Sequence, residues 1–254
     1  MLTSRRPLLA TLASLALAAL ATLPGAATAQ DSSPQPVVKP GPAPAPSDAA
    51  DYLIVTQVDP RTCAYPVCGG YFVKAVNRAR TVCADGKPAA QCHAVELDTR
   101  ALNWTDAQKQ AFEAGFAKGQ ALVRGIIEPQ PRGRFTGEVL RVTEAWQGQA
   151  ASKPLGTFYN VKGTGIVCIT APCPSFSAQT LNSQLPPTTP ELDLNHTGAK
   201  PEQVQAAYEL LNDLKGTGIL AVGQILPRPV HSLDGKPAYG RFLVASEIYL
   251  PAKP

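Results

Sequence analysis

The chain has 254 residues, 44% of them hydrophobic, with six cysteines and a formal net charge of +4. Charged residues form no run of one sign, and Lys and Arg are not interleaved with aromatics, which excludes a basic nucleic-acid-binding surface. Arg5 and Arg6 supply half of the excess charge, so the balance falls to +2 once the first 29 residues are set aside.

Residues 1–29 read as a signal peptide. Arg5 and Arg6 form its basic start, Leu8 to Leu23 its apolar middle, and Ala27-Thr28-Ala29 its small-residue cleavage site, so cleavage is expected after Ala29. The apolar stretch is shorter than the ~20 residues a membrane span needs, and no basic stop-transfer run follows. No transmembrane segment is expected in the mature chain, nor a lipid anchor, because no cysteine lies near the cleavage site. Residues 30–50 carry six prolines among Ala, Ser and Gly and read as an extended linker rather than an SH3-type ligand. The expected address is the periplasm or the medium.

From Asp51 about 200 residues remain, enough for one large domain or two ordinary ones. Tyr52–Val58 is β-branched and reads as a first strand, stopped by Asp59-Pro60. A loop between Cys63 and Cys68 leads through Gly69-Gly70 to a second strand, Tyr71–Val76, which ends in a turn at Asn77. After a Cys83–Cys92 loop, His93–Leu97 alternates as a third strand with His93, Val95 and Leu97 on one face. Thr105 and Gln108 have the form of a capping box, with Phe112 and Phe116 on the buried face of the helix they begin and Gly119 as its stop. Ala121–Ile127 is a fourth strand closed by Pro129. Phe135–Ala145 is a fifth, whose apolar phase changes between Val139 and Leu140, as at a bulge.

The same order then returns. Cys63, Cys68, Tyr71 and Asn77 are matched by Cys168, Cys173, Phe176 and Asn182, each 105 positions on. Glu191-Leu192-Asp193 matches Glu96-Leu97-Asp98. A second helix starts at Pro201 with Val204, Ala207, Tyr208, Leu211 and Leu214 as its apolar stripe. Leu220–Pro227 matches Leu122–Pro129, and Gly240-Arg-Phe242 matches Gly133-Arg-Phe135. These anchors predict a duplicated β-β-β-α-β-β unit, residues 51–150 and 151–254. The fold class is mainly β with two helices (α+β), built either as OB-like barrels or as open antiparallel sheets.

An even cysteine count in an exported chain points to disulfides. The second unit has only two cysteines, so the simplest scheme joins Cys168 to Cys173 and Cys63 to Cys68, and leaves Cys83 for Cys92. A thiolate metal site from Cys63, Cys68, Cys83, Cys92 and His93 is disfavoured, because the spacing lacks a Cys-x2-Cys knuckle and export disfavours free thiols. The segment Cys63-x4-Cys68-Gly-Gly-Tyr-Phe-Val-Lys-x-Val-Asn77, followed by Cys83-Ala-Asp-Gly, resembles a family of uncharacterised exported bacterial proteins. The resemblance implies a domain of unknown function and carries over no catalytic or binding residue.

Chemistry-bearing motifs are sparse. His93, His196 and His231 stand in no Gly-x-Ser-x-Gly or His-Glu-x-x-His context. The pairs Glu96/Asp98 and Glu191/Asp193 suit a solvated strand edge as well as a two-carboxylate site. The two Lys-Gly-Thr-Gly-Ile strings, at Lys162 and Lys215, read as turns because neither ends in Gly-Lys-Ser/Thr. Asn103-Trp-Thr105 and Asn195-His-Thr197 read as turns leading into helices rather than glycosylation acceptors. The sequence therefore points to a non-catalytic, disulfide-stabilised interaction module with no catalytic residue, metal or cofactor, whose partner is a protein or an envelope component. An envelope-associated structural protein and an uncharacterised hydrolase are the alternatives. The expected contact loops are Cys63–Cys68 with Gln130–Arg132, and Cys168–Cys173 with Arg228–Tyr239.

Overall fold

The computed structural model describes residues 50–252, apart from positions 66, 151–153, 170–171 and 232–236. The expected signal peptide, and all but the last residue of the expected proline-rich linker, lie outside the described residues. Strands β1 (Asp51–Val58) and β2 (Tyr71–Ala75) form an antiparallel pair that brackets the first disulfide-tied loop. A small hairpin of β3 (Thr81–Val82) and β4 (Pro88–Ala89) fills the second cysteine loop. The expected third strand is two strands that break at Val95. β5 (Cys92–Ala94) pairs with β2, whereas β6 (Glu96–Asp98) runs parallel to the later strand segment Val139–Arg141. His93, Val95 and Leu97 therefore do not share one face.

Helix α1 (Asp106–Glu113) begins at the expected capping box. Gln108 N–H donates to Thr105 Oγ1, and Thr105 N–H donates back to Gln108 Oε1. Phe112 and Phe116 meet edge to face, although Phe116 sits in a following 3-10 turn that Gly119 closes at φ 66°. Strands β7 (Ala121–Arg132) and β8 (Phe135–Gly148) form a long hairpin that runs straight through Pro129. The second half runs through β9 (Thr157–Gly163), β10 (Phe176–Thr180), β11 (Glu191–Asp193), α2 (Pro201–Asn212), β12 (Ile219–His231) and β13 (Pro237–Pro251), with no strand counterpart of β3–β5 among the described residues. Val204, Ala207, Tyr208 and Leu211 of α2 pack inward, but Leu214 lies past the helix end and is exposed.

One sheet runs through both halves in the order β10-β9-β12-β13-β8-β7-β1-β2-β5, with β6 beside β8 and β11 beside β13. The ladder is open, so the OB-like barrel expected as one alternative does not form. β6 and β11 are its parallel members. Each half has its own core, around Leu53, Val73, Phe112 and Leu140 in the first and around Val161, Leu211, Ile219 and Leu243 in the second. A third cluster joins them: Val76, Leu122 and Trp146 from one side with Leu181, Leu220 and Tyr249 from the other. The only ladder between the halves among the described residues is three residue pairs of β8 and β13, from Gly148↔Tyr249 to Trp146↔Pro251.

The pairing pattern recurs between the halves with an offset set by the bulges. The β7–β8 register slips at Gly125 and the β12–β13 register at Gly223. A Cβ at Gly125 would lie 2.3 Å from Arg141 O, and one at Gly223 2.1 Å from Val244 O, so both bulges require glycine. The slip leaves Thr143 unpaired, which places the bulge in β8 three residues beyond Val139–Leu140. Leu97 pairs with Leu140 and Leu192 with Leu243, which aligns β8 with β13 at an offset of 103. The Gly-Arg-Phe strings are consequently not equivalent. Gly133 turns the β7–β8 hairpin at φ 63°, while Gly240 is a buried strand residue.

The open ends of the two halves are tied by two asparagines in the left-handed region, Asn77 at φ 58° and Asn182 at φ 54°. Asn77 Oδ1 accepts from Phe158 N–H (2.9 Å), and its Nδ2 donates to Phe158 O (2.8 Å) and Leu181 O (3.0 Å). Asn182 returns the pattern: Oδ1 accepts from Tyr52 N–H (2.8 Å), and Nδ2 donates to Tyr52 O (2.8 Å) and Val76 O (3.0 Å). Each side-chain amide thus takes the place of a missing backbone partner between β1–β2 and β9–β10. Losing three such bonds costs about 2–4 kcal/mol, at roughly 1 kcal/mol each with more for a group left unpaired. Asn182→Ala should therefore lower the thermal midpoint more than Asn182→Gly, which removes the same bonds but relaxes the backbone. Equal melting of Asn182→Ala and wild type would remove the clasp from the account.

Near the β8–β13 junction, Glu247 is 1% exposed. Its Oε1 accepts the backbone N–H groups of Gln149, Ala150 and Ile248 at 2.9–3.0 Å, and Gln120 donates to Ala150 O. Burial pushes the Glu247 carboxyl up from 4.5 to about 7, against the pull of those three donors. An acid that holds its proton better when folded favours the fold most at low pH, and loses that contribution as pH rises from 4.5 to 7. Glu247→Gln keeps an acceptor for the same N–H groups without a charge to bury. Its thermal midpoint should fall less than that of wild type between pH 4.5 and pH 8; parallel curves would show that Glu247 does not titrate there.

Candidate functional site

The three disulfides join Cys63 to Cys68, Cys83 to Cys92 and Cys168 to Cys173, with Cα–Cα distances of 5.2, 5.4 and 5.7 Å. The first and third tie the β1–β2 and β9–β10 loops, which occupy the same place in their halves. Oxidation also answers the metal reading. The sulfurs of Cys83 and Cys92 lie within 4.8 Å of a Glu138 carboxylate oxygen, but disulfide sulfurs are not thiolate ligands.

The two tied loops are built differently. In the first, Asp59 N–H donates to Gly70 O at the loop base (2.9 Å), and Gly70 must lack a side chain because a Cβ would lie 2.2 Å from Ala94 O. The Asp59 side chain is fully buried. Its carboxylate accepts from Arg61 Nε (2.9 Å) and Nη2 (2.8 Å), and these bonds hold it well below the usual carboxylate range. His93 Nε2 lies 2.7 Å from Gly69 O and 3.0 Å from Asp59 Oδ2. Two oxygens at that range fix the proton on Nε2, so the 3.4 Å approach of Arg61 Nη2 to the same nitrogen brings two donors together and is not a hydrogen bond. Arg61 also donates to Val67 O (3.1 Å) and lies over the Phe72 ring. His93 thus braces the loop from below.

Beside this loop is a cavity of about 570 Å³ lined by Val67, the Cys83–Cys92 bridge, His93, Phe135 and Glu138. Burial pushes the Glu138 carboxyl up, and Asp85 adds to that shift. The structure therefore brings the Cys63–Cys68 loop to the β8 side of the hairpin. Gln130–Arg132, the expected partner segment, faces elsewhere: Arg132 is ion-paired to Glu96 at 2.6 Å.

Among the described residues the second tied loop has no such brace. Thr164 Oγ1 donates to Pro174 O (2.7 Å), and Cys173 N–H donates to Glu191 Oε1 (3.2 Å), which anchors its base. Above that base Val167 is 93% exposed and Ile169 97% exposed. Pro172 leans towards Gly240 of β13, so this loop does approach the second hairpin. Most of the expected Arg228–Tyr239 loop is strand, since the ladder continues to His231↔Pro237, and the remainder lies outside the described residues.

The paired acids are separated by their partners. Asp98 is held down at about 2 by hydrogen bonds from Arg100, while Glu96 pairs with Arg132. Asp193 pairs with Arg228 at 2.5 Å and Glu191 serves the loop base. His196 is exposed, 3.8 Å from Asp193, and the His231 side chain lies outside the described residues.

A family model described as a domain of unknown function, DUF6748, matches residues 52–254. The chain belongs to the DUF6748 family. The match begins inside β1 and extends past β13, so the DUF6748 domain contains both tied loops, both helices and the asparagine clasp. No curated protein and no solved structure matches the chain.

Because the Arg61–Asp59–His93 brace lies in the first loop, Asp59→Ala should loosen that loop alone. Timed alkylation during mild reduction should then find Cys63–Cys68 opening faster than in wild type, with Cys168–Cys173 unchanged. Unaltered kinetics at Cys63–Cys68 would mean that the bridge, not the Arg61–Asp59–His93 cluster, holds the loop.

Proposed function

We propose that this protein is an exported, non-catalytic binding module that contacts a protein partner through its disulfide-tied β9–β10 loop. The observation that carries the reading is the near-complete exposure of Val167 and Ile169 on either side of Cys168. Exposed β-branched side chains cost solubility without stabilising the fold, and a loop already tied loses less entropy on binding. Tyr65 and Val67, both at least half exposed, present a second and more rigid contact point at the matching loop. Bonds between Asp59, Arg61 and His93, and between the paired acids and their arginines, engage most of the groups that a hydrolase would need free.

Export rests on the signal-peptide pattern of residues 1–29 and is supported by three disulfides, which persist in oxidising compartments. Among the described residues no helix is long and apolar enough to cross a membrane. The recurrent strand pairing, the paired bulge glycines and the reciprocal asparagines favour an origin by copying of one unit, residues 51–150 and 151–254. The proline-rich stretch before Asp51 acts as a tether that holds the module away from its point of attachment or release.

Val167→Asp with Ile169→Asp tests the contact loop, because neither side chain packs in a core and the fold should be unaffected. Proteins captured from an extract of the native envelope by the wild-type chain should be lost with the double variant and retained by Leu185→Asp, an exposed apolar position elsewhere. Capture that survives the double substitution would shift the reading to an envelope-associated structural protein; turnover dependent on His93 in an activity screen would overturn the non-catalytic reading.

A further inference from the structure

The seam between the halves carries two grooves, one on each side of the asparagine clasp. The first is a cleft of about 720 Å³ between the outer face of β1–β2 and the start of β9, with Asn77 in its lining. The second, of about 400 Å³, lies against β9–β10 and contains Asn182. Equivalent strand positions line both, but the chemistry differs. Leu53 pairs with Ala75 as Tyr159 pairs with Thr180, so Ile54 and Lys74 of the first groove stand where Asn160 and Gln179 stand in the second, while Arg78 lines both.

The first cleft is apolar on its floor and cationic at its edge. Ile54, Val76 and Phe158 supply the floor, and Lys74, Arg78 and Lys118 the charge, with no acidic residue in the lining among the described residues. Arg78 is neutralised by Asp51 at 2.6 Å. Lys74 and Lys118 have no ion pair among the described residues. Two unneutralised ammonium groups beside half-buried apolar surface favour an anion that brings an apolar body with it. The cleft volume falls in the range of small-molecule sites, about 300–1,000 Å³.

We propose that this cleft binds a small amphipathic carboxylate, with its apolar body over Ile54 and Phe158 and its carboxylate between Lys74 and Lys118. The body displaces water from the floor, while Asn77, fully engaged in the clasp, fixes the wall without competing for the ligand. Binding at this position bridges β1–β2 and β9, so it also favours the closed seam. The site uses neither tied loop and stands or falls apart from the protein-binding reading.

Calorimetric titration of decanoate into the oxidised full-length chain tests it. Saturable one-to-one binding is expected at low salt, weakened about tenfold or more by Lys74→Ala with Lys118→Ala, and weakened by added salt. Lys162→Ala with Lys215→Ala removes the same charge elsewhere and should leave the affinity unchanged. Decanol should bind more weakly and should not distinguish the variants. Absence of saturable binding to the wild-type chain overturns the proposal, as does equal affinity in the two double variants or binding of decanol as tight as that of decanoate. Both lysines are exposed, so unchanged thermal midpoints for the variants separate lost binding from lost fold.

Discussion

The architecture depends on how two curled half-sheets satisfy each other where their ladders stop. At the open ends of the β1–β2 and β9–β10 ladders, Tyr52 O and Phe158 O accept from Val76 N–H and Leu181 N–H, while the Tyr52 and Phe158 N–H groups donate to side chains of the opposite half. Asn182 and Asn77 supply those partners from the turns that end β10 and β2. An amide side chain carries an N–H donor and a carbonyl acceptor in the spacing of a peptide group, with a second N–H to spare, so it substitutes for a strand at a single position. The left-handed backbone that aims it is one Asn tolerates better than most residues. With that need met, Leu122, Trp146, Leu220 and Tyr249 can pack as one interior instead of two exposed faces.

Much of the order of elements was legible from residue pattern. Capping residues Thr105 and Gln108, the first-turn Pro201, and the alternation of β1 and β2 are local signals, and the structure follows them. The Leu122 and Leu220 strings align because each contains a glycine pressed against a backbone carbonyl, a requirement that leaves a mark in sequence. The Gly-Arg-Phe match had no such requirement behind it. Parallel pairing of β6 and β11 decides the true offset, and a three-residue parallel contact has no periodic signature. The phase change at Val139–Leu140 misled for a related reason: both residues are buried, on opposite faces of a regular stretch of β8 that precedes its bulge.

The candidate sites were legible to different degrees. Cysteine spacing marks the two tied loops, and Asn77 and Asn182 recur at the same offset as those cysteines. What each asparagine bonds to, more than 80 residues away in sequence, could not be read. Nor could the brace of Asp59, Arg61 and His93, since His93 comes from another strand. The seam cleft was invisible for the same reason, as its lysines stand 44 positions apart on elements that only the fold brings together. The two proposed contacts lie apart: the tied loops project from the strand ends, while the clefts lie where the halves meet.

The shared interior has a consequence for the order in which the chain can become compact. Synthesis delivers β7 and β8 before β12 and β13, so Leu122 and Trp146 must wait, uncovered, for more than seventy further residues to emerge. During that interval the nascent first half is an incomplete object with a sticky flank, exposed to premature association with a neighbouring chain. A short-lived escort for the flank, or quick delivery of the remainder, is the natural safeguard for such a design.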